Sequence, residues 1–598
     1  MFKWTSRARA LVAVAALAAA PAAALSQSIG RLDLEGPILD RPGPLDWLAG
    51  GRPTLRSVMS TLAEAGADAE ISAVVVRLKD AELNRTQIEE LGSALEALAK
   101  AGKRTYVFAE NYGPAELLLG SHAQQVVIQS GGGVSLPGLH MEEMYLADTL
   151  SWAGVKAELV QIGDYKGASE MFVNSAPSKA WDQNINQLLD SLYGAMRAEL
   201  KRGRKLSDEK LDEAMRRVWI ADAEEAIEAG LIDAAVDLPA LGAFIAGRPD
   251  PEWVELDAAG EPTFSMDTTN PFAALPAMMK ALTEPPSRSP DGPAIALVHI
   301  DGAIVDGDSG AGGLFGESSV GSRTVRNALE EVRAEDKIKG VIIRIESPGG
   351  SATASEVIWQ GVRRVAEKKP VWVSVGSMAA SGGYYIAVAG DRIYVNPSSI
   401  VGSIGVVGGK FAMGGLYDKL KVRVVERSRG PMGGMFTSVT PWSPEQIEQV
   451  RSKMRRTYDL FTKRVAAGRK GIDLSKTAEG RLFAGQKAVD LNMADTLGGL
   501  DECIGALASH LGLAEYEVLD YPGPQSLGEI LEEMFGQFAS APGVRAGRPP
   551  ALAGEAAAVL RTVVGERAWP GVRDSLGALM QLRREPVLLV SPQAIILK

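Results

Sequence analysis

The chain has 598 residues, of which 46% are hydrophobic and 23% are charged. This composition is ordinary for a globular protein and excludes a disordered or fibrous chain. Acidic residues outnumber basic residues, 74 to 63, and the net charge of −11 argues against nucleic acid as the main partner. The single cysteine, Cys503, excludes intrachain disulfides and CxxC metal sites, and we expect it to be a buried free thiol.

The N-terminus has the order of an export signal. Lys3, Arg7 and Arg9 precede an uninterrupted apolar run, 10–25, which ends in small residues. A helix needs about 20 apolar residues to cross a bilayer, so the run is short for a membrane span. The pattern predicts that residues 1–25 are a cleaved signal peptide or an N-terminal membrane anchor.

The chain contains two copies of one unit. Three pairs of segments align at nearly the same shift along the chain: 33–40 with 299–306, 73–78 with 340–345, and 117–128 with 384–395. A nearly constant shift over about 90 residues indicates an internal repeat.

Each copy alternates short β-branched runs with longer helical patterns. In the first copy the runs are 74–78, 105–108 and 126–128, and 86–101 has a helical pattern. This alternation predicts an α/β fold of tandem βαβ repeats with mainly parallel sheets. We expect the N-terminal repeat at 30–270, a proline-rich linker at 271–293, the C-terminal repeat at 294–525 and an extension at 526–598, which contains a strand-like run at 587–597.

The second copy has a glycine-rich turn that the first copy lacks. Ser347-Pro348-Gly349-Gly350-Ser351 follows a predicted strand and precedes a helix. Backbone N–H groups of such a glycine pair can approach an oxyanion closely. At the equivalent place, 79–83, the first copy has no glycine. The pattern therefore predicts an oxyanion site in the second copy.

Ser381 is the candidate nucleophile. It lies between Ala380 and Gly382, after a predicted strand at 371–375 and before a predicted helix. Small neighbours would let a substrate carbonyl reach its Oγ atom. The equivalent residue of the first copy is Pro114, which has no nucleophilic group.

The base that would activate this serine is less obvious. The histidines lack a suitable arrangement for a triad, and the G-x-S-x-G motif is absent. A desolvated lysine can take the proton instead. Lys166 follows a predicted strand at 157–162 among small and apolar residues, although a plain solvated lysine is the alternative. We expect the flanking Asp164 and Glu170 to be solvated. The four histidines that lack a triad arrangement are His122, His140, His299 and His510.

Four motifs together resemble signal peptide peptidase A in its long, two-repeat form, also called protease IV. They are Y-K-G-A at 165–168, S-P-G-G-S at 347–351, A-S-G-G-Y at 380–384 and G-S-I-G at 402–405. The resemblance covers roughly residues 30–525. It implies a crotonase/Clp-protease-like fold, assembly into a ring-shaped homotetramer, and ATP-independent cleavage of leftover signal peptides at the membrane. Gly167 and Met171 depart from the serine and proline that are usual in this family.

The resemblance also implies a role for each site residue. Ser381 would be the nucleophile and Lys166 the general base. The amides of Gly382, Gly349 and Gly350 would hold the oxyanion, and the Ser403 hydroxyl would orient the lysine amine.

We therefore expect a serine endopeptidase that needs no metal or cofactor. Its partners would be cleaved signal peptides, unfolded apolar peptides and the inner-membrane surface, with the protein exported to the periplasmic side of that membrane. Two alternatives remain open on the sequence: a crotonase-like acyl-CoA hydrolase or hydratase, and a non-catalytic envelope scaffold.

Overall fold

The computed structural model describes residues 28–43, 46, 51–259, 289–310, 319–523, 587–590 and 596–597. The predicted signal or anchor at 1–25, most of the predicted linker 271–293 and most of the extension 526–598 lie outside the described residues. Among the helices that the structure describes, none combines the length and the apolar character needed to cross a membrane.

The first half of the chain alternates strands with helices. Its strands are β1 (Ser28–Pro37), β2 (Ile71–Glu82), β3 (Arg104–Ala109), β4 (Gln125–Ile128), β5 (Gly133–Val134), β6 (Met141–Glu142), β7 (Lys156–Ile162), β8 (Ala221–Asp222), β9 (Ala234–Ala235) and β10 (Trp253–Glu255). Its helices are α1 (Leu55–Ala67), α2 (Arg85–Lys100), α3 (Pro114–Gly120), α4 (Ala147–Ala153), α5 (Glu170–Val173), α6 (Lys179–Arg204), α7 (Asp208–Arg217), α8 (Ala223–Glu228) and α9 (Leu241–Ala246), with 3-10 turns at Gly167–Ser169 and Leu238–Ala240.

The second half follows the same plan. Its strands are β11 (Ala294–Asp301), β12 (Ala303–Val305), β13 (Ser319–Gly321), β14 (Ile338–Ser347), β15 (Gly349–Ser351), β16 (Val371–Ala380), β17 (Arg392–Val395), β18 (Ile400–Gly402), β19 (Val406–Ala412), β20 (Leu482–Ala484), β21 (Thr496–Leu497) and β22 (Glu517–Tyr521), and the extension adds β23 (Val587–Val590) and β24 (Ile596–Leu597). Its helices are α10 (Ser322–Ala334), α11 (Ala352–Ala366), α12 (Gly382–Ala387), α13 (Gly414–Lys419), α14 (Pro444–Gly468), α15 (Leu474–Thr477), α16 (Gly485–Asp490) and α17 (Leu500–Leu511).

The two halves contain the same sheet. In the first, the strand order is β10-β1-β2-β3-β4-β9, and every neighbouring pair is parallel. In the second, β22-β11-β14-β16-β17-β21 has the same order and direction, and β18 and β20 are added beside β16. The predicted α/β class with tandem βαβ repeats of the crotonase/Clp-protease-like type is confirmed.

The repeat extends beyond the segments that align in sequence. Helix α6 begins at Lys179 and its counterpart α14 at Pro444, whereas α8 begins at Ala223 and its counterpart α16 at Gly485. The shift between the copies therefore falls along the chain while the order of elements is kept. Loops that differ in length remove the sequence alignment without changing the topology.

Each sheet is covered on both faces, as parallel sheets require. Along β11, Ile295 and Leu297 pack with Leu507 of α17 on one face, whereas Ala296 and Val298 join the larger core on the other face. The strand is therefore apolar at nearly every position and does not alternate with polar residues.

The two halves meet through buried charges on α2. The Glu90 carboxylate accepts hydrogen bonds from the Arg344 guanidinium at 2.9 Å, from the Asn396 amide at 2.8 Å and from the backbone N–H of Leu500 at 2.9 Å. Glu90 and Arg344 are each 2% exposed. Since a buried charge is tolerated only when it is paired and hydrogen-bonded, this cluster holds the halves in one arrangement.

Removing the Glu90 carboxylate should leave the Arg344 charge buried with fewer partners. We expect Glu90→Ala to lower the free energy of unfolding by about 3–5 kcal/mol, measured by urea denaturation. Glu64→Ala changes an exposed glutamate of α1 and should stay within about 0.5 kcal/mol of wild type. Equal stability of the two variants would contradict this role for Glu90.

Candidate active site

Strand β7 brings the first repeat into the second. It pairs antiparallel with β19 along its whole length, from Lys156 opposite Ala412 to Ile162 opposite Val406. It thereby becomes the edge of a sheet with the order β13-β12-β15-β23-β19-β7, whose other strands belong to the second half or the extension. The turn that follows β7 carries Lys166.

This turn is packed closely against the second half. Gly163 has φ +110°, and a Cβ atom built on it would lie 2.7 Å from the carbonyl carbon of Glu479. A Cβ built on Gly480 would lie 2.5 Å from the backbone nitrogen of Lys166. The backbone N–H of Tyr165 donates to the carbonyl of Glu479 at 2.8 Å. Glycine is thus required on both sides of this contact, and the lysine backbone is fixed by it.

Gly167, which stands where serine is usual in the family that the sequence resembles, has a steric reason to be glycine. A Cβ atom built on Gly167 would lie 2.4 Å from the ring of Trp181, the first buried side chain of α6. The indole fills the space that a serine side chain would need. It also covers the backbone beside Lys166.

Ser381 lies at the junction of β16 and α12. The strand runs to Ala380, beyond the predicted end at 375, because residues 378–380 pair with β18. Ser381 has φ +53° and ψ −110°, a backbone conformation that is unfavourable for a residue with a side chain. Its N–H donates to the carbonyl of Gly402 at 2.8 Å. The neighbouring strand therefore holds the serine in this conformation.

The lysine amine and the serine hydroxyl meet across the repeat boundary. Lys166 Nζ lies 2.7 Å from Ser381 Oγ, 2.8 Å from Ser403 Oγ and 3.0 Å from the Ser403 carbonyl oxygen. Lys166 and Ser381 are 0% exposed and Ser403 is 1% exposed. Ser403 also has a positive φ, +51°. Its two oxygen atoms therefore face the same amine.

Burial changes the chemistry of this amine. Removal from water lowers the pKa of Lys166 well below its usual value, since desolvation disfavours the charged form. Its hydrogen-bond partners are neutral serine oxygens, which do not compensate the charge as a carboxylate would. The arrangement favours an uncharged amine with a lone pair beside the serine hydroxyl.

The predicted oxyanion glycines lie beside the serine. A Cβ built on Gly382 would lie 3.2 Å from both Gly349 Cα and Gly350 N. The N–H of Gly349 donates to Ser347 Oγ at 3.2 Å, and this hydroxyl donates to the Gly302 carbonyl at 2.7 Å. Gly349 therefore has a partner within the chain, and the turn is tied to the end of β11.

The structure adds a residue that sequence reasoning missed. Glu346, next to this turn, accepts a hydrogen bond at 2.6 Å from the backbone N–H of Ser377 on β16. Burial, with the charge of Asp40 nearby, raises the pKa of the Glu346 carboxyl. The hydrogen bond between Glu346 and Ser377 joins the end of β14 to β16, the strand that leads to Ser381. In the sequence, the signal that could have identified Glu346 is its place as an acidic residue directly before S-P-G-G-S.

The expectation that Glu170 is solvated is wrong. Asp164 is exposed, as expected, but Glu170 is buried. Its carboxylate accepts hydrogen bonds from the Asn174 amide at 2.7 Å and the Ser178 N–H at 2.9 Å, and therefore holds the loop between α5 and α6.

The histidines also have acidic partners that the sequence did not reveal. His122 contacts Glu96 and Glu199, and His299 contacts Asp520. These contacts form where distant helices and strands pack together. Among the hydrogen bonds that the described residues form, the one at Ser381 Oγ involves Lys166 and not a histidine.

No group of three or more His, Cys, Asp or Glu residues within the described ranges could hold a metal ion. Cys503 is a buried free thiol, as expected, and its Sγ atom faces the Val373 carbonyl at 3.9 Å. Burial raises the pKa of this thiol.

The chain is similar to known proteases. Residues 97–241 and 363–514 match peptidase family S49. Protease 4 of Salmonella typhi is 26% identical over 541 residues, 87% of this chain and 84% of that protein. The chloroplastic serine protease SPPA of Arabidopsis thaliana is 26% identical over 456 residues, 75% of this chain and 65% of that protein.

A shorter relative matches about the length of one repeat. A protein of Methanocaldococcus jannaschii is 30% identical over 232 residues, which cover 38% of this chain and 75% of that protein. With the two family segments, one in each half, these similarities show that the chain belongs to peptidase family S49 and is a serine protease.

Proposed function

We propose that the protein is an ATP-independent endopeptidase with a Ser381–Lys166 dyad, which degrades remnant signal peptides and other extended apolar peptides in the cell envelope. The observation that carries the proposal is the 2.7 Å contact between the Lys166 amine and the Ser381 hydroxyl, both fully buried. A charged lysine on the surface would have neither this contact nor a lowered pKa.

Lys166 acts as the general base in the first step. Its neutral amine takes the proton of Ser381 as Oγ attacks the scissile carbonyl, and the resulting ammonium then protonates the leaving amine. In the second step the same amine takes a proton from a water molecule that attacks the acyl-enzyme, and gives it to Ser381 Oγ as the acyl–Oγ bond breaks. Each half-reaction returns Lys166 to its neutral form.

Ser403 positions the base. A neutral lysine amine has two N–H bonds and one lone pair, and the two Ser403 oxygens accept hydrogen bonds from it. With both N–H bonds directed at Ser403, the lone pair is directed at Ser381. Ser403 is in this sense a positioning residue.

The oxyanion is held by backbone N–H groups. Gly382 N, at the start of α12, is the better candidate, because the N–H of Gly349 already donates to Ser347 and Gly350 pairs with Ile304 and Leu589 inside the sheet. Gly350 also cannot be replaced by a larger residue, since a Cβ on it would lie 2.0 Å from the Ile304 carbonyl oxygen. Preorganised amides of this kind stabilise the tetrahedral intermediate without moving.

The envelope location rests on residues 1–25. Their order of basic, apolar and small residues is that of an export signal, and the proposed substrates are released where such signals are cleaved. We place the protein at the periplasmic side of the inner membrane, by a retained anchor or after cleavage.

We propose that the protein forms a homotetrameric ring, and an exposed segment of the second repeat supports contact with another copy. At the repeat shift, β7 of the first half is equivalent to about 423–429, yet this segment is exposed throughout. Val424 and Val425 are 44% and 67% exposed. Since the equivalent strand β7 is covered by the second half, we propose that 423–429 is covered by the first half of another copy.

Removal of either reacting group should abolish turnover. We expect Ser381→Ala and Lys166→Ala each to lower kcat by about 10³-fold or more on a synthetic signal peptide. Lys453→Met removes an exposed lysine of α14 and should leave kcat unchanged. Near wild-type cleavage by either site variant would refute the dyad.

Labelling with a fluorophosphonate probe, together with activity assays, distinguishes the proposed peptidase from the two alternative functions. It should label wild type at Ser381 and not the Ser381→Ala variant. A chain that hydrolyses an acyl-CoA ester but leaves peptides intact would favour the crotonase-like enzyme. A chain that is neither labelled nor able to cleave denatured casein would favour the scaffold.

Activity should rise with pH. The base works only when neutral, so kcat/KM is expected to increase as Lys166 loses its proton. Because burial lowers this pKa, the rise should occur well below the ~10.4 of an unperturbed lysine. A pH series of initial rates checks this, and a flat profile between pH 6 and 9 contradicts it.

The same titration should appear in stability. A lysine whose pKa is lower in the folded state opposes folding below its unfolded pKa, and this penalty disappears as the pH rises toward ~10.4. Wild type should therefore gain stability relative to Lys166→Met between pH 7 and pH 10. The measurement is the urea midpoint of both proteins at each pH, and parallel pH dependences would argue against a buried neutral amine.

A further inference from the structure

The C-terminal extension contributes the central strand of the sheet beside the active site. Strand β23 pairs antiparallel with β15, with Val590 opposite Gly349 and Leu588 opposite Ser351. On its other edge it pairs antiparallel with β19, with Leu588 opposite Val407. In this sheet β15 and β19 are neighbours of β23 and not of each other.

Without β23, the two flanking strands would border a slot one strand wide. Neighbouring strands lie about 4.8 Å apart, so β15 and β19 are separated by about 9–10 Å. Both edges facing the slot have backbone groups that need partners. An extended peptide inserted there would be hydrogen-bonded along both sides.

The slot lies between the two walls of the active site. On one side lies Gly349. A Cβ atom built on Gly382, the residue directly after the nucleophile, would lie 3.2 Å from the Gly349 Cα atom. On the other side, β19 begins at Val406, shortly after Ser403, which contacts the lysine amine. A strand in the slot therefore passes beside both halves of the dyad.

The occupant has the chemistry of the proposed substrate. Residues 587–590 are Val-Leu-Leu-Val, with no charge and a high preference for extended structure. The walls are mostly small: Gly349, Gly350 and Ser351 on one side, and Val407 and Gly408 on the other. Recognition through the backbone suits any extended apolar peptide, including one from the same chain.

We propose that residues 587–590 are a built-in competitor that occupies the peptide-binding slot in the manner of a substrate. The inference rests on the proposed function, since it takes the slot to be the substrate site. A segment tethered to the same chain has an effective concentration in the millimolar range, so a free peptide binds only in the fraction of molecules whose slot is open. The extension then sets the apparent affinity for substrate.

The test measures peptide binding by the full chain. Leu589→Pro removes one backbone N–H from β23, and in a central strand every N–H donates to one neighbour or the other. The matched control, Leu589→Ala, keeps the N–H. The probe is a fluorescein-labelled peptide with the sequence of residues 585–592, and Ser381→Ala is present in every form so that nothing is cleaved.

We expect Leu589→Pro to bind the probe at least about tenfold more tightly than Leu589→Ala, by fluorescence anisotropy. A chain ending at residue 584 should bind at least as tightly as Leu589→Pro. A chain ending at residue 591, which keeps β23 but lacks β24, should behave like the full chain. Equal affinity of all forms, or no binding by any form, would overturn the proposal.

A second readout separates this proposal from the proposed function. With Ser381 intact, Leu589→Pro should lower KM for a synthetic signal peptide and leave kcat unchanged. If the forms differ in binding but none cleaves a peptide, the competitor stands and the peptidase function fails. If cleavage occurs with the same KM in every form, the peptidase function stands and the competitor fails.

Discussion

The site depends on keeping one amine out of water. Lys166 lies on the first repeat, yet its Nζ atom is enclosed by Ser381 and Ser403 of the second. The enclosure lasts only while the halves stay docked, and two features dock them: the pairing of β7 with β19, and the buried cluster around Glu90 and Arg344. The charges of that cluster are compensated, whereas the amine has only neutral partners. The buried charges of the cluster are thus paired, whereas the desolvated base has no charged partner among its hydrogen bonds.

Much of the fold could be predicted from local patterns. The runs at 74–78, 105–108 and 126–128 lie within β2, β3 and β4, and the helical pattern at 86–101 corresponds to α2. Short apolar strands and periodic helices carry their own signal. The later part of the repeat could not be detected, because differences in loop length had removed the constant shift between copies.

What the sequence missed depends on contacts between distant segments. The burial of Glu170 follows from Asn174 and Ser178, which fold back onto its carboxylate. The acidic partners of His122 come from helices α2 and α6. The sequence predicts a strand-like run at 587–597. It does not predict that residues 587–590 lie between β15 and β19, since nothing in a short apolar run specifies its neighbours. By contrast, the approach of Lys166 to Ser381 could be predicted, because each copy of the unit lacks the group that the other retains.

The separation of the proposed dyad along the chain also bears on biosynthesis. The two side chains are 215 residues apart. A polypeptide that emerges with its N-terminus first presents the amine long before the hydroxyl, so an incomplete chain lacks the proposed hydrolytic centre. On the proposed mechanism, catalysis becomes possible only after the second unit has been made and has folded against the first. That order of synthesis would protect the producing cell from the enzyme without a separate pro-segment or inhibitor.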